Sequence, residues 1–306
     1  MLRISCHPGQ IFKRVGYDEG FAMLREAGIE AIQYGMGAEL LSKKMILKGA
    51  PSILDGPMDE ILEFVRPVKE ASKKYNVAIS QVHAPFPAYM PGNEELNERL
   101  RPVLIKSVQL AEYFESPHVL VHPSKLNEGD DLITIEEEWE QNRGIYEGMM
   151  EALKEHNVVC LLENLFAEGS ANIRFAAASS DFPVVCDWID KLNEEAGEKR
   201  FAFCLDTGHA TLARQNLYRA IKLLGHRLEA LHMQDNSGYL DEHTAPYTGI
   251  IRWDLVLQGL KEIGYRGDLN FEAGKAIEKY PPEMHDICLK MLARTGEYFR
   301  KQILSE

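Results

Sequence analysis

The sequence has no C-x2-C cysteine pair and no G-x-G-x-x-G run after its first apolar stretch. The first absence excludes a zinc ribbon. The second argues against an open sheet that binds a dinucleotide at its first turn. The five cysteines are odd in number and widely spaced, and Cys6, Cys160 and Cys204 stand in apolar runs. We therefore expect reduced packing residues rather than a disulfide framework.

Long apolar runs and an excess of positive charge are also missing. No stretch approaches the roughly 20 apolar residues of a membrane span, and the first residues lack the apolar region of a signal peptide. We expect a cytoplasmic protein with no membrane association. With 47 acidic against 34 basic residues and a net charge of −13, the chain lacks the Lys and Arg excess that binds nucleic acid. Small-molecule partners are favoured, and nucleic acid is not expected.

Short apolar runs alternate with helical periodicities along all 306 residues, with no linker or change of composition between them. The predicted strands are residues 3–6, 29–34, 77–82, 119–121, 158–162, 201–205, 228–231 and 268–271. The predicted helices are residues 18–27, 58–75, 94–114, 135–156, 182–196, a helix after His209, 253–263 and 284–299. Alternation of this kind implies a parallel sheet, and eight units favour closure into a barrel. We predict one α/β domain, residues 1–306, with the (β/α)8 TIM-barrel fold; a doubly wound open sheet is the alternative.

Side chains that bind metals stand where the predicted strands end. Six of them follow the last apolar residue of six different strands: His83, His122, Glu163, Asp206, His232 and Glu272. The carboxyl ends of barrel strands meet at one rim, so these side chains should share one opening. Each has a purely structural interpretation, since Asp206 could cap the next helix and a single histidine could be a hydrogen-bonded rim residue. The six together predict a metal site.

The ion is not decided by the residue types alone. Carboxylates with imidazoles suit zinc, manganese, cobalt or iron(II) better than calcium. Glu163 could bind one ion or bridge two. His83 and His122 could form a second site or contact the substrate. The number of ions therefore stays open.

Several longer motifs extend these strand ends. They are Val82-His-Ala-Pro85, Leu162-Glu-Asn164, Leu205-Asp-Thr-Gly-His-Ala210, Leu231-His-Met-Gln-Asp235, Asp241-Glu-His243, Gly249-Ile-Ile-Arg-Trp-Asp254 and Gly264-Tyr-Arg-Gly-Asp-Leu-Asn-Phe-Glu272. Together they resemble the xylose isomerase-like TIM-barrel superfamily. It contains sugar and sugar-phosphate isomerases and epimerases, inositol-catabolism dehydratases, and the endonuclease IV group of AP endonuclease family 2. One turn departs from the usual P-G-x-G form, because Tyr247 and Thr248 stand between Pro246 and Gly249.

The resemblance implies two sets of ligands. The epimerase-type metal ligands would be Glu163, Asp206, His232 and Glu272. The additional endonuclease-type zinc ligands would be His83, His122, His209, Asp241 and His243. The implied cofactor is a divalent ion, Mn²⁺, Zn²⁺ or Co²⁺, with Mg²⁺ as a further option. A homo-oligomer stays open, since barrels of this kind often pair.

The leading hypothesis is a metal-dependent isomerase or epimerase that acts on a sugar or sugar phosphate through an enediolate. Glu163 and Glu272 would be the two acid/base groups, one removing a proton from carbon and the other returning it. Histidines 83, 122 and 209 would contact hydroxyl groups. Lys275 could bind a phosphate, although a solvated loop lysine is the simpler interpretation.

Three alternatives remain at this stage. An abasic-site phosphodiesterase explains the full ligand set, but it predicts a basic groove that the charge of −13 does not favour. A dehydratase would need the same two glutamates. A barrel could also bind a metabolite without turnover. His209 distinguishes the phosphodiesterase from the isomerase. It would be a zinc ligand in the phosphodiesterase and a substrate or outer contact in the isomerase.

Overall fold

A computed structural model describes residues 2–125, 134–169 and 173–305. The strands in this part of the chain are β1 (Ile4–Cys6), β2 (Ala31–Gly35), β3 (Ala78–His83), β4 (His118–Leu120), β5 (Val159–Glu163), β6 (Phe166–Glu168), β7 (Arg174–Ala176), β8 (Phe201–Asp206), β9 (Leu228–His232) and β10 (Leu269–Phe271). Strands β6 and β7 form an antiparallel pair. The other eight form one sheet in the order β10-β1-β2-β3-β4-β5-β8-β9.

Helices separate most of the sheet strands. They are α1 (Ile11–Ala27), α2 (Met36–Glu39), α3 (Lys43–Leu47), α4 (Met58–Tyr75), α5 (Glu94–Tyr113), α6 (Ile135–Glu147), α7 (Met150–Glu155), α8 (Phe182–Ala196), α9 (Thr207–Leu212), α10 (Leu217–Leu224), α11 (Trp253–Glu262), α12 (Lys275–Glu278) and α13 (His285–Leu304). Among the described residues, none of these helices combines the length and the apolar character that a membrane crossing requires.

The pairing of the first strand with the last identifies the fold. Strand β1 is parallel to both β2 and β10, with Ser5 opposite Ala31 on one side and Asn270 on the other. Strand β4 is parallel to β3 and β5 in the same way. Apart from β9 and β10, which stand at the two ends of this order, each strand lies beside the sheet strands that precede and follow it in the chain. The TIM-barrel prediction is confirmed, and the doubly wound alternative is excluded.

The described residues group into two compact units. The first contains residues 2–33, 67–80 and 204–305, and the second contains the remaining described residues between 34 and 203. The boundaries fall inside β2, α4, β3 and β8, so each unit carries parts of these elements. The assignment of residues 1–306 to one domain stays a prediction.

The core of the first unit is aromatic. Trp253 opens α11 and stacks on Phe299 of α13 with ring centroids 5.3 Å apart. Phe271 of β10 lies 6.1 Å from the same Phe299 ring. None of the three side chains is more than 1% exposed. Because Phe271 is held in this cluster, the residue after it, Glu272, leaves the strand from a fixed position.

In the second unit, α6 is anchored on the end of β4. The buried Tyr146 hydroxyl donates a hydrogen bond to the Val121 carbonyl at 3.1 Å. The Tyr146 ring also packs edge-on against Phe201 at the start of β8, with centroids 6.0 Å apart. This contact holds the segment that carries His122, the residue after Val121.

The cysteines behave as expected from their apolar surroundings. None of the five forms a disulfide, and Cys6, Cys160 and Cys204 are fully buried. Burial raises the pKa of the Cys6 thiol to about 12, and it raises the pKa of Cys160 further still. These thiols are packing groups rather than nucleophiles.

Candidate metal centre

Three of the predicted ligands come together in the first unit: Asp206, His232 and Glu272. Asp206 and His232 are the last residues of β8 and β9, and Glu272 follows β10 directly. One ligand atom of each lies within 4.8 Å of the others, and His232 Nδ1 is 3.1 Å from Glu272 Oε2. The side chains of Asp206 and His232 are fully buried, and that of Glu272 is 15% exposed.

This donor set fits a divalent transition-metal ion. Two carboxylates and an imidazole within bonding reach of one point are a common set for manganese, zinc or cobalt. Carboxylates buried to this degree cost several kcal/mol in desolvation unless a positive charge compensates them. A cation among Asp206, His232 and Glu272 would supply that charge.

Asp206 is also a helix cap. Its Oδ1 accepts a hydrogen bond from the backbone N–H of His209 at 2.6 Å, at the start of α9. From the sequence alone, capping and metal binding are alternative roles for this residue. The structure confirms the cap, and the two roles are compatible because a carboxylate offers about four acceptor positions on two oxygens.

Gln234 belongs to the site, although sequence analysis did not assign it. Its Nε2 donates to Asp206 Oδ1 and to Asp241 Oδ1, both at 3.2 Å, and the residue is fully buried. A Cβ atom at Gly208 would lie 2.2 Å from Gln234 Cδ. A glycine is thus required at position 208 because the Gln234 side chain approaches its backbone closely. The φ angle of Gly208 is not in the left-handed region, so backbone conformation does not require a glycine here. Gln234 stands two residues beyond His232, the last residue of β9, but an isolated amide at such a position does not by itself indicate a function.

Replacing Gly208 by alanine is expected to displace Gln234 and loosen its hold on Asp206. We expect a loss of about 1–3 kcal/mol in unfolding free energy, as for other overpacked sites, together with weaker Mn²⁺ binding. Urea denaturation and isothermal titration calorimetry measure the two effects. Gly144→Ala is the matched control, because Gly144 also lies in a helix and nothing would contact its Cβ within 4 Å. That control should be neutral or stabilising by up to ~1 kcal/mol. If Gly144→Ala lowered the unfolding free energy as Gly208→Ala does, the loss in Gly208→Ala could not be assigned to the displacement of Gln234.

A second group in the first unit contains His209, Asp241 and His243, again with ligand atoms within 4.8 Å of one another. His243 Nε2 donates to Asp241 Oδ2 at 3.1 Å, and its Nδ1 donates to the Glu272 carbonyl at 3.0 Å. Because both ring nitrogens face acceptors, this geometry is that of an imidazolium. His243 is held in a left-handed backbone conformation, with φ of 46°, which is uncommon for a residue other than glycine.

Opposite charges keep Asp241 and His243 ionised. Burial acts to raise the pKa of Asp241, but hydrogen bonds and charges from His209 and His243 hold it well below its usual range. Burial acts to lower the pKa of His243, but Asp241 and Glu272 raise it to about 9. At neutral pH the two residues therefore form an ion pair next to Glu272.

The ion pair predicts a pH dependence for the metal-free protein. Because the folded pKa of His243 is raised from 6.5 to about 9, its contribution to stability is complete below pH 6.5 and is lost as the pH rises through about 9. We expect the unfolding free energy to fall by about 1–3 kcal/mol between pH 7 and 10 because of this residue. Urea denaturation with EDTA present measures it. His243→Gln should reduce the fall, and the exposed control His226→Gln should leave it unchanged. Equal pH dependence in the wild type and His243→Gln would be inconsistent with the ion pair.

A third group lies in the second unit and contains His83, His122 and Glu163. His83 Nδ1 donates to the Ala84 carbonyl at 2.8 Å, which orients the ring. His83 Nε2 is 3.1 Å from His122 Nε2, which is 2.9 Å from Glu163 Oε2. A backbone acceptor on one ring nitrogen is the usual way of orienting a histidine toward a metal ion. These three residues could therefore hold a cation or bind polar groups of a ligand.

A model of the family described as "Xylose isomerase-like TIM barrel" matches residues 21–287. The chain belongs to this family. The resemblance inferred from the motifs is therefore confirmed.

The chain is also similar to individual proteins in sequence or in structure. The uncharacterised protein MJ1311 of Methanocaldococcus jannaschii is 27% identical over 214 residues, which cover 68% of each chain. The crystal structure of a D-tagatose 3-epimerase-like protein has a TM-score of 0.71 and 20% identity, and the match covers 99% of this chain and 100% of that one. The structure of the IOLI protein with a binding zinc atom has a TM-score of 0.64 and 14% identity, covering 99% and 98%. At these identities the two structures show the shared fold.

The loop after β9 differs from the usual family turn in sequence but is tightly held. Tyr247 stands where the P-G-x-G form has its first glycine, and it keeps a left-handed φ of 71°. Asp235, fully buried, accepts hydrogen bonds from the backbone N–H groups of Tyr247 at 3.1 Å and Ile251 at 3.2 Å, and from Trp253 Nε1 at 2.9 Å. A Cβ at Gly249 would lie 2.2 Å from the Asn236 carbonyl oxygen. The loop that carries Asp241 and His243 is therefore clamped at its base.

Two further residues lie near Glu272 in the first unit. The backbone N–H of His7 donates to the Phe271 carbonyl at 2.9 Å, and His7 Nδ1 accepts from the Gly9 N–H at 3.2 Å. Burial lowers the pKa of His7 below 6.5, so the ring is neutral with its proton on Nε2. Lys275, which sequence analysis connected with a phosphate, is exposed and donates from Nζ to the Asp241 carbonyl at 2.8 Å. His7 was not among the predicted site residues.

Proposed function

We propose that the protein is a divalent-metal-dependent isomerase or epimerase of a sugar or sugar phosphate. The observation that carries this proposal is the buried group of Asp206, His232 and Glu272 at the ends of adjacent strands. Glu163 is the proposed fourth ligand, because it ends β5 and the strand ends of a TIM barrel face one opening. The likeness in fold to a D-tagatose 3-epimerase-like protein supports the reaction class.

The chemistry would divide between the ion and the two glutamates. A divalent ion, Mn²⁺, Zn²⁺, Co²⁺ or Mg²⁺, would stabilise the negative charge that develops on adjacent substrate oxygens. One of Glu163 and Glu272 removes the proton from the carbon next to the carbonyl, and the C–H electron pair becomes the C=C bond of the enediolate. The other glutamate returns a proton. Return to the same carbon on the opposite face gives an epimer, and return to the neighbouring carbon gives an isomer.

Residues around Glu272 suit its role as a base. His243 Nδ1 lies 3.8 Å from Glu272 Oε2, and the positive imidazolium favours the ionised carboxylate. His7, neutral with its proton on Nε2, can donate to a substrate hydroxyl. His83, His122 and His209 are proposed as further hydroxyl contacts. Lys275 would bind the phosphate of a phosphorylated substrate.

A zinc-dependent phosphodiesterase for abasic sites is the second candidate. The groups His83–His122–Glu163 and His209–Asp241–His243 favour it, because they provide donors for additional ions. Two observations weigh against it. Both ring nitrogens of His243 already face acceptors, and the chain carries a net charge of −13. Zinc-dependent nicking of an abasic duplex would establish this function in place of the first.

The deciding experiment is a screen of ketoses, aldoses and their phosphates with added Mn²⁺, Co²⁺ or Mg²⁺, with products read by NMR in D₂O. We expect deuterium at the carbon where the proton is exchanged, together with an epimer or isomer as the product. A metal-loaded protein that exchanges no carbon-bound proton in any sugar of the screen would refute the proposal. Loss of water from the substrate would instead identify a dehydratase.

A further inference from the structure

A row of buried polar side chains crosses the first unit and ends at Glu272. Ser5 Oγ donates to Asn270 Oδ1 at 2.8 Å, and Asn270 Nδ2 donates to Gln33 Oε1 at 2.8 Å. Gln33 Nε2 then donates to Glu272 Oε1 at 3.1 Å. The first three residues come from β1, β10 and β2, and none of them is more than 2% exposed. Polar side chains buried to this degree are costly unless they serve a defined arrangement.

The hydrogen bonds in this row all run in one direction. An ionised carboxylate only accepts, so Gln33 must present its amide nitrogen to Glu272 and its oxygen to Asn270. Asn270 must then present its nitrogen to Gln33, and its oxygen receives the Ser5 hydroxyl. A flip of either amide would set two like groups against each other. Asn270 therefore controls which end of Gln33 faces the carboxylate, although it does not contact Glu272 through this row.

The two oxygens of Glu272 consequently have different surroundings. Oε1 is held by Gln33, and Oε2 faces His232 Nδ1 at 3.1 Å. We propose that Gln33 and Asn270 are positioning residues that fix Glu272 Oε1 and so direct Oε2 to the metal ion, with Asn270 acting through Gln33. The inference rests on the proposed function only in taking Glu272 as a metal ligand. It extends the site into the strand interior, where outer contacts usually tune ligand affinity.

The test is a double-mutant cycle with Gln33→Met and Asn270→Leu, both close in volume to the natural residues. Mn²⁺ is titrated into the metal-free protein by calorimetry, without any sugar. Each single variant should bind Mn²⁺ about 10-fold more weakly, and the double variant should be no weaker than Gln33→Met alone. Independent effects, about 100-fold in the double variant, would overturn the coupling. Unchanged Mn²⁺ affinity in either single variant would overturn the positioning role. If Gln33→Met does not fold, the Mn²⁺ affinity of Asn270→Leu alone still tests this role.

Asn97→Leu is the matched control for general destabilisation. Asn97 is 1% exposed, and its side chain bonds the backbone N–H and carbonyl of Met90 at 2.8 and 2.9 Å. This variant should lower Tm without changing the Mn²⁺ affinity. If it weakens Mn²⁺ binding as much as Asn270→Leu does, the effect of the latter comes from lost stability and the inference is wrong.

Activity provides a separate readout. If a sugar is converted, kcat should fall about 10–100-fold in Gln33→Met, with KM changed much less, because the hydrogen bond orients a group that acts in the chemical step. A wild-type protein that binds Mn²⁺ but converts no sugar refutes the proposed function. The positioning role of Gln33 and Asn270 is then tested by the Mn²⁺ titrations alone. A wild-type protein that binds no Mn²⁺ overturns the metal role of Glu272 and this inference with it.

Discussion

Glu272→Gln is expected to lower kcat by about 10²–10⁴-fold, the usual contribution of a positioned acid or base. The amide keeps the size and shape of the side chain but cannot take a proton from carbon. Glutamine can still offer an oxygen to a metal ion, so Mn²⁺ binding should weaken less than turnover. Measuring both kcat and Mn²⁺ affinity separates the two roles of the residue.

Deuterium exchange distinguishes the two glutamates. If Glu163 and Glu272 act on opposite faces of the substrate, each Gln variant should lose exchange from one epimer and retain exchange from the other. Glu278→Gln is the matched control, since Glu278 is exposed and lies six residues further along the same segment. The control should keep wild-type turnover. Full activity in Glu272→Gln or Glu163→Gln would eliminate the two-base mechanism.

Removal of the divalent ion is expected to abolish turnover and to lower the thermal stability. Asp206 and His232 are fully buried, so without the ion a carboxylate and an imidazole stay away from water and lose the positive charge that would compensate them. This desolvation cost lowers the unfolding free energy of the metal-free protein. An ion present at about 100 times its Kd adds ~2.7 kcal/mol to the unfolding free energy. For a chain of 306 residues this corresponds to a Tm difference of about 4 °C.

The measurement is calorimetry and turnover before and after dialysis against EDTA, followed by readdition of single ions. Turnover should return with at least one of Mn²⁺, Co²⁺, Zn²⁺ or Mg²⁺, and Tm should rise with the concentration of that ion. Asp206→Asn/His232→Gln in the same protein should remove this dependence of Tm. A wild-type Tm that is the same with EDTA and with each ion would argue against a buried metal site.

The barrel strands were predictable because buried parallel strands appear as short apolar runs with polar ends. Phe201–Asp206, with all six residues buried, is such a case. Helices with clear amphipathic spacing were equally accessible: the predicted bounds of Met58–Tyr75 and Phe182–Ala196 are those observed. In both elements, local pattern and tertiary environment favour the same structure.

Other elements depended on contacts that the local pattern does not contain. The helix predicted over residues 135–156 is divided by a turn at Gly148 and Met149. Helix α1 begins at Ile11 rather than residue 18, with Gly16 in a non-helical conformation between its two parts. The pairing of Phe166–Glu168 with Arg174–Ala176 was not predicted, because two three-residue strands carry too little periodicity. Residues 35–57, which lie between the second predicted strand and the second predicted helix, contain α2, α3 and a 3-10 turn at Ile53–Asp55.

At the site, the charged residues were accessible to sequence reasoning and the amides were not. Asp206, His232 and Glu272 break apolar runs at strand ends, so their position alone indicates a function. Gln33 and Gln234 gave no such signal, because an isolated amide near an apolar run is compatible with many packing roles. Their importance lies in which atom each one contacts, and only the three-dimensional arrangement provides that information.

The clamp at Asp235 has a consequence for the evolution and redesign of this barrel. Its carboxylate ties Tyr247, Ile251 and Trp253, and its backbone pairs with Thr244 in both directions at 2.9 and 3.0 Å. The segment between, residues 237–242, is thus enclosed by anchors on both sides. Exchanges at residues 237–240 are expected to change the surface of this loop without moving β9 or α11. A library confined to these four positions leaves Asp241 in its ion pair with His243 and would test whether this loop affects substrate preference.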